Sequence, residues 1–152
     1  MAKKATLCFV KLKDEILMIN RNKPPFMGMW NALGGKVKEG ESLESCARRE
    51  IFEESGIKVN SLKLFSEFTW NYDDEIGYAF LAEIDDDFLK KDFPKEIDEG
   101  IVAFKSMDFI LNQKNPGVIE DLKIFINDIK NGVKQNYHLV YDDTKLIEVI
   151  KK

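Results

Sequence analysis

Between Gly34 and Ile57 the chain reads GGKVKEGESLESCARREIFEESGI, and no other stretch limits the possible folds as tightly. From Ser42 to about Ser55 it contains neither Gly nor Pro, carries Ala47 among good helix formers, and runs up to Gly56, a natural residue for a left-handed helix end. The spacing predicts one helix, with Ser42 as N-cap and Glu44 at the positive end of its dipole. At about 100° per residue, Glu50, Glu53 and Glu54 fall within roughly a third of the circumference. Leu43, Cys46 and Ala47 project in much the same direction, so the acids are expected over the apolar flank and not on the opposite, solvated one.

A Glu-rich helix is ordinarily a wet face with scattered ion pairs. Carboxylates crowded beside an apolar stripe behave differently: they repel one another and lose hydration, which raises their pKa unless a cation compensates. A hard divalent ion with oxygen preference, Mg²⁺ or Mn²⁺, is the natural compensation, and such an ion can bridge phosphate oxygens. Arg49 is placed to hold an acid in position, and Glu41 to orient Arg49. Ahead of the helix, Leu33-Gly34-Gly35-Lys36 makes a tight passage in which glycine permits close approach of the backbone to a ligand.

Gly35, Glu41, Arg49, Glu50, Glu53, Glu54 and Gly56, with Ile51 and Ile57 at the aliphatic positions, match the Nudix box in full, and the chain resembles the Nudix hydrolases. The resemblance implies cleavage of a nucleoside diphosphate linked to another group. It implies metal binding by Glu50, Glu53 and Glu54 with the carbonyl of Gly34, and an α/β/α sandwich. A further acid before a late strand commonly completes such a site or serves as base; Glu99 fits best and Glu96 is the alternative. The general base is then Glu53 or Glu99. Asn20 to Lys23 and Met29 to Gly35 look like the MutT type, which acts on oxidised purine nucleoside triphosphates. On that likeness Asn31 hydrogen-bonds the purine and Glu120-Asp121 reads its other edge, simple helix N-terminal charge being the alternative for the acidic pair. The leading substrate is 8-oxo-dGTP, giving the monophosphate and pyrophosphate. A dinucleoside polyphosphate, a nucleotide sugar or an RNA 5′ end are alternatives, as is a nucleotide-sensing module without chemistry, although none of the box glutamates is missing.

With 152 residues and 44% hydrophobic content the chain is expected to form one domain, 1–152, with a full core. A net charge of −4 disfavours broad polyanion binding, so the expected partner is a small nucleotide and not nucleic acid. Arg21, Lys23 and Lys36 flank the glycine turn as candidates for phosphate, an ordinary surface role being the alternative. Cys8 and Cys46 form no CxxC pattern, and no apolar segment reaches spanning length, so a reduced, cytoplasmic setting without membrane contact is expected. Monomer and homodimer stay open. The single histidine, His138, is assigned no role.

Ala5–Leu12 and Glu15–Asn20 read as a hairpin broken by Pro24-Pro25, and Leu62–Trp70 and Ile76–Ile84 as a second around Asn71 to Asp74. Ile101–Lys105 is a short strand. Val118, Leu122, Phe125, Ile126 and Ile129 predict a second amphipathic helix ending near Asn131-Gly132, before a terminal hairpin, Tyr137–Tyr141 and Lys145–Ile150. Strands on both sides of the first helix imply an α/β fold, a mixed sheet with helices on its two faces. Phe26, Trp30, Phe68, Trp70, Tyr72 and Tyr78 include more than a core of this size needs, core packing being the alternative for any one of them. Phe26 and Trp30 are preferred for stacking on a base.

Overall fold

The computed structural model describes residues 3–24 and 26–152; Pro25, half of the expected Pro-Pro break, lies outside them. Both hairpins form. β1 (Lys4–Leu12) pairs antiparallel with β2 (Glu15–Arg21), and β4 (Lys63–Trp70) with β5 (Ile76–Ile84). A short β3 (Trp30–Ala32) lies on β2, and β6 (Lys95–Ile97) and β7 (Gly100–Ser106) extend that side. The terminal hairpin of β8 (Tyr137–Asp142) and β9 (Lys145–Lys151) joins the far side through a parallel β4–β8 pairing. The sheet order is β6-β7-β2-β1-β5-β4-β8-β9, and the parallel β1–β5 and β4–β8 pairs make it mixed.

The first helix, α1 (Leu43–Ser55), starts and stops as its sequence predicts. Ser42 accepts from the Ser45 amide at 3.1 Å, and Gly56 sits at φ 77° with its N–H donating to the Phe52 carbonyl at 2.7 Å. α1 covers one face of the sheet, where Ala47 and Ile51 pack with Cys8, Val10, Leu17 and Ile19. The opposite face receives a one-turn α2 (Met107–Leu111) and α3 (Asp121–Asn131), whose Leu122, Phe125 and Ile126 meet Phe9, Ile16 and Met18. Strand alternation sends neighbours in β1 and β2 to opposite layers. Each fully buried large side chain among them contributes roughly 1.5–3 kcal/mol. The result is an α/β/α sandwich.

One boundary moves. Val118 and Ile119 are buried but extended, hydrogen-bonded to β3 through Trp30 N–H to the Gly117 carbonyl at 2.7 Å and Ile119 N–H to the Trp30 carbonyl at 3.1 Å. The helical spacing counted Val118 into α3 because an extended segment can bury an apolar residue against the same core.

Candidate functional site

Where β1, the glycine turn and the C-terminal half of α1 meet, a cavity of about 330 Å³ opens, at the small end of ligand clefts. Two backbone hydrogen bonds seat the turn on β1: Thr6 N–H to the Gly35 carbonyl at 2.8 Å and Cys8 N–H to the Leu33 carbonyl at 2.7 Å. Gly34 adopts φ 138°, and its N–H donates to Glu54 Oε1 at 2.9 Å. Glu54 is 5% exposed, and burial, reinforced by the charges of Glu50 and Glu99, pushes its carboxyl up to about 8 against the pull of that amide. Glu50 lies against Gly35, where an added Cβ would stand 2.4 Å from its Oε1. Burial raises Glu50 too, the Arg49 guanidinium opposing it.

Arg49 organises the rest of the helix face. It grips Glu41 through Nε at 2.7 Å and Nη2 at 2.9 Å, and its Nη1 reaches Glu50 at 2.9 Å and Glu53 at 3.4 Å. A further contact to the Lys36 carbonyl at 3.3 Å ties it to the glycine turn. The guanidinium beside Glu41, with the Lys38 amide, holds that carboxyl down at about 2.

The three glutamates keep roughly the third of the circumference that helical phase gives them, but they do not share one environment. Consecutive residues stand about 100° apart, so turning Glu54 inward turns Glu53 out, and the Glu53 side chain is 53% exposed beside Arg49. Among the described residues no three Asp, Glu, His or Cys side chains stand close enough together to hold a metal ion, because Arg49 draws Glu50 and Glu53 to itself. The donor set nonetheless suits a hard cation. Glu54 is a buried carboxylate that no ion pair reaches among the described residues, with Glu99 on the cavity wall and Glu50 over Gly35.

The other expected residues divide. Arg21, Phe26, Asn31, Lys36 and Asp121 line the cavity; Lys23 is exposed on the loop after β2, outside it. Trp30 is not on this wall. Being adjacent to Asn31 in a strand, it points to the other face, where Lys105 lies 4.7 Å from its ring centre. Glu120 and Asp121 part in the same way: Asp121 is 6% exposed in the cavity, while Glu120 faces out and accepts from the Leu146 amide at 3.3 Å. Trp30 and Glu120 therefore leave the set of cavity residues. Glu96 is exposed on β6 and also lies outside the cavity.

Residues that sequence reasoning passed over complete the wall: Thr6 of β1, Glu75 ahead of β5, and Tyr141 of β8. Tyr137, Leu139 and Tyr141 are all buried, an alternation that marked Tyr141 as inward-facing. Trp70 and Tyr72, counted among the surplus aromatics, stand on the wall with ring centres 5.7 Å apart.

Burial raises the Asp121 carboxyl to about 6 from 3.8, against the opposing pull of the polar hydrogens of nearby Trp70 and Tyr141, with Glu120 adding repulsion. Tyr72 is the other titratable group facing it. An acid whose folded pKa lies above its unfolded one binds protons more readily when folded. Its stabilising contribution is complete below about pH 4 and is lost as pH rises toward 6, a swing of up to about 3 kcal/mol. Asp121→Asn is expected to remove that slope, so urea unfolding should show the variant gaining on the parent between about pH 4.5 and about pH 7. An unchanging difference would put this carboxyl at its ordinary value.

Known proteins resemble the chain in this part. The family model described as the NUDIX domain matches residues 1–123. Two relatives named NAD-capped RNA hydrolase NudC are similar: that of Photobacterium profundum is 33% identical over 94 residues, 62% of this chain and 35% of the relative. That of Vibrio cholerae is 38% identical over 81 residues, 53% of this chain and 30% of the relative. The chain thus spans about a third of the length of these curated relatives. Among solved structures, the Mutator MutT protein from Bacillus halodurans superposes with a TM-score of 0.78 at 22% identity, covering 99% of this chain and 97% of that one, a likeness of fold. Since the family match takes in the glycine turn, α1 and every box glutamate, and the sandwich is the one its structural neighbours share, the chain belongs to the Nudix hydrolase family.

Proposed function

We propose that the protein hydrolyses a nucleoside diphosphate bonded to a further group, with an oxidised purine nucleoside triphosphate such as 8-oxo-dGTP as the leading substrate, yielding the monophosphate and pyrophosphate. One observation carries this reading: among the acids that line a single cavity, Glu54 with Glu99 forms one group and Asp121 stands apart from it. Glu54 lies within reach of the charges of Glu50 and Glu99, whereas Asp121, which lines the same cavity as Asn31, lies within reach of that of Glu120. The group suits a metal-assisted phosphate site and Asp121 a base edge.

Glu54, Glu50 and Glu99, with the Gly34 carbonyl, would hold Mg²⁺ or Mn²⁺, and Lewis-acid polarisation of the phosphorus is what that ion supplies when bound. Arg21 and Lys36 offer charge to phosphate oxygens, and Lys23, outside the cavity, is the remaining cation of that group. Glu53, exposed and able to exchange its Arg49 contact for water, or Glu99 takes a proton from the attacking water. Arg49 and Glu41 position Glu50. Phe26 supplies a face for the base, and Asn31 a hydrogen bond.

The relatives' name supports a second reading, in which the diphosphate belongs to the NAD-like cap of an RNA 5′ end. A product-resolved screen with Mg²⁺ over 8-oxo-dGTP, dGTP, NAD and an NAD-capped RNA separates the two. The expected result is the highest kcat/KM on 8-oxo-dGTP with pyrophosphate as product. Preference for NAD or capped RNA would install the second reading, and no turnover of any diphosphate would reject both in favour of a sensing module.

A further inference from the structure

Tyr141 is fixed in the cavity wall by its backbone and its ring. Its N–H donates to Asn71 Oδ1 at 2.7 Å and its carbonyl accepts from Asn71 Nδ2 at 3.0 Å, so the turn between β4 and β5 pins its backbone on both sides. The ring packs edge-on against Tyr72, centres 6.0 Å apart. The residue is 7% exposed and lines the cavity, yet its hydroxyl has no hydrogen-bond partner among the described residues. It lies near the Asp121 carboxyl without meeting it in hydrogen-bonding geometry. Burial and the Asp121 charge keep the phenol protonated.

An unmade hydrogen bond at a buried hydroxyl costs folding free energy, and a rigid one that faces a cavity is relieved when a ligand supplies the missing partner. The polar groups that line the same cavity define that partner. Asn31 spends its Oδ1 on the Ala32 amide at 2.8 Å, which leaves its Nδ2 as a donor toward the cavity. Asp121 contributes an acceptor, and Tyr141 a second donor. Two donors and one acceptor call for a ligand edge with more lone pairs than protons. A ring carbonyl, which accepts two hydrogen bonds, beside a ring N–H fits; the amino group of a 6-aminopurine brings two protons and no such oxygen.

We propose that Tyr141 is a specificity-determining residue whose buried hydroxyl donates to the carbonyl of a 6-oxopurine while Asp121 accepts from the adjacent ring N–H. This rests on the nucleotide reading above but not on catalysis, and its test needs neither metal nor turnover. Inosine 5′-monophosphate, adenosine 5′-monophosphate and purine riboside 5′-monophosphate, the last lacking any 6-substituent, are titrated calorimetrically with EDTA present into the parent and Tyr141→Phe. The expected result is a loss of about tenfold in affinity for the inosine nucleotide only, the worth of one hydrogen bond. Free Tyr141→Phe is expected to melt no lower than the parent, since it removes an unpartnered polar group. An equal loss on all three ligands, a loss confined to the adenosine nucleotide, no binding of the inosine nucleotide by the parent, or a lowered Tm of the free variant would each overturn the assignment. If the substrate screen fails while the inosine-selective loss appears, the hydrolytic reading falls and this one stands.

Discussion

Glu54→Gln is expected to lower kcat/KM by about a thousandfold on whichever diphosphate the protein prefers, with the fold retained. The amide keeps an oxygen to accept from the Gly34 N–H, which donates to Glu54 Oε1 at 2.9 Å, so the seat of the glycine turn survives. What disappears is a buried carboxyl raised to about 8 by burial and by Glu50 and Glu99. It gives up its proton only when positive charge is brought to it, since the protein supplies no cation of its own there among the described residues. The ionised form is costly to keep unless something brings positive charge to it, and a metal-assisted reaction supplies that reason. Near-parent Tm and far-UV spectrum together with the activity loss is the predicted combination. Activity within about tenfold of the parent would remove Glu54 from the chemistry.

Gly34→Ala acts on the frame that presents these acids. A Cβ at Gly34 would stand 2.1 Å from the Thr6 carbonyl oxygen and 3.1 Å from the Leu7 Cα, at a φ of 138° that an L side chain rarely adopts. Those neighbours are backbone of β1, which lies between β2 and β5 inside the sheet and cannot step aside. The variant is expected to lose about 3–5 kcal/mol and to melt on the order of 10 °C lower, read by thermal and urea unfolding. Gly35→Ala makes the contrast. Its Cβ would meet the end of the Glu50 side chain, 2.4 Å from Oε1, so that carboxylate can turn away and the stability loss is smaller. A Gly34→Ala protein as stable as the parent would contradict the close packing of turn on strand.

Much of this was legible without coordinates where local rules decide. The limits of α1 follow from Ser42, Gly56 and the absence of breakers, and the first two hairpins from apolar runs around short polar turns. β3 was not, because three residues become a strand only by pairing with β2. The start of α3 was displaced for a related reason: burial of Val118 is compatible with helix or extended chain, and only its bridge to Trp30 selects the latter. Pairs of neighbours chosen together, Trp30 with Asn31 and Glu120 with Asp121, were divided by direction, since adjacent side chains leave the backbone on different sides.

By itself the amino-acid order determined that a capped helix carries three glutamates behind a glycine turn, and so which family's chemistry to expect, because caps, breakers and helical phase act over a few residues. Only the tertiary structure decided that Glu54 is buried while Glu53 meets water, that Arg49 clasps Glu41 and Glu50, and that Tyr141 from the far end of the chain joins Asp121 in the cavity. Burial and hydrogen-bond partnership depend on what the rest of the sheet brings alongside, a property that no local stretch of sequence contains.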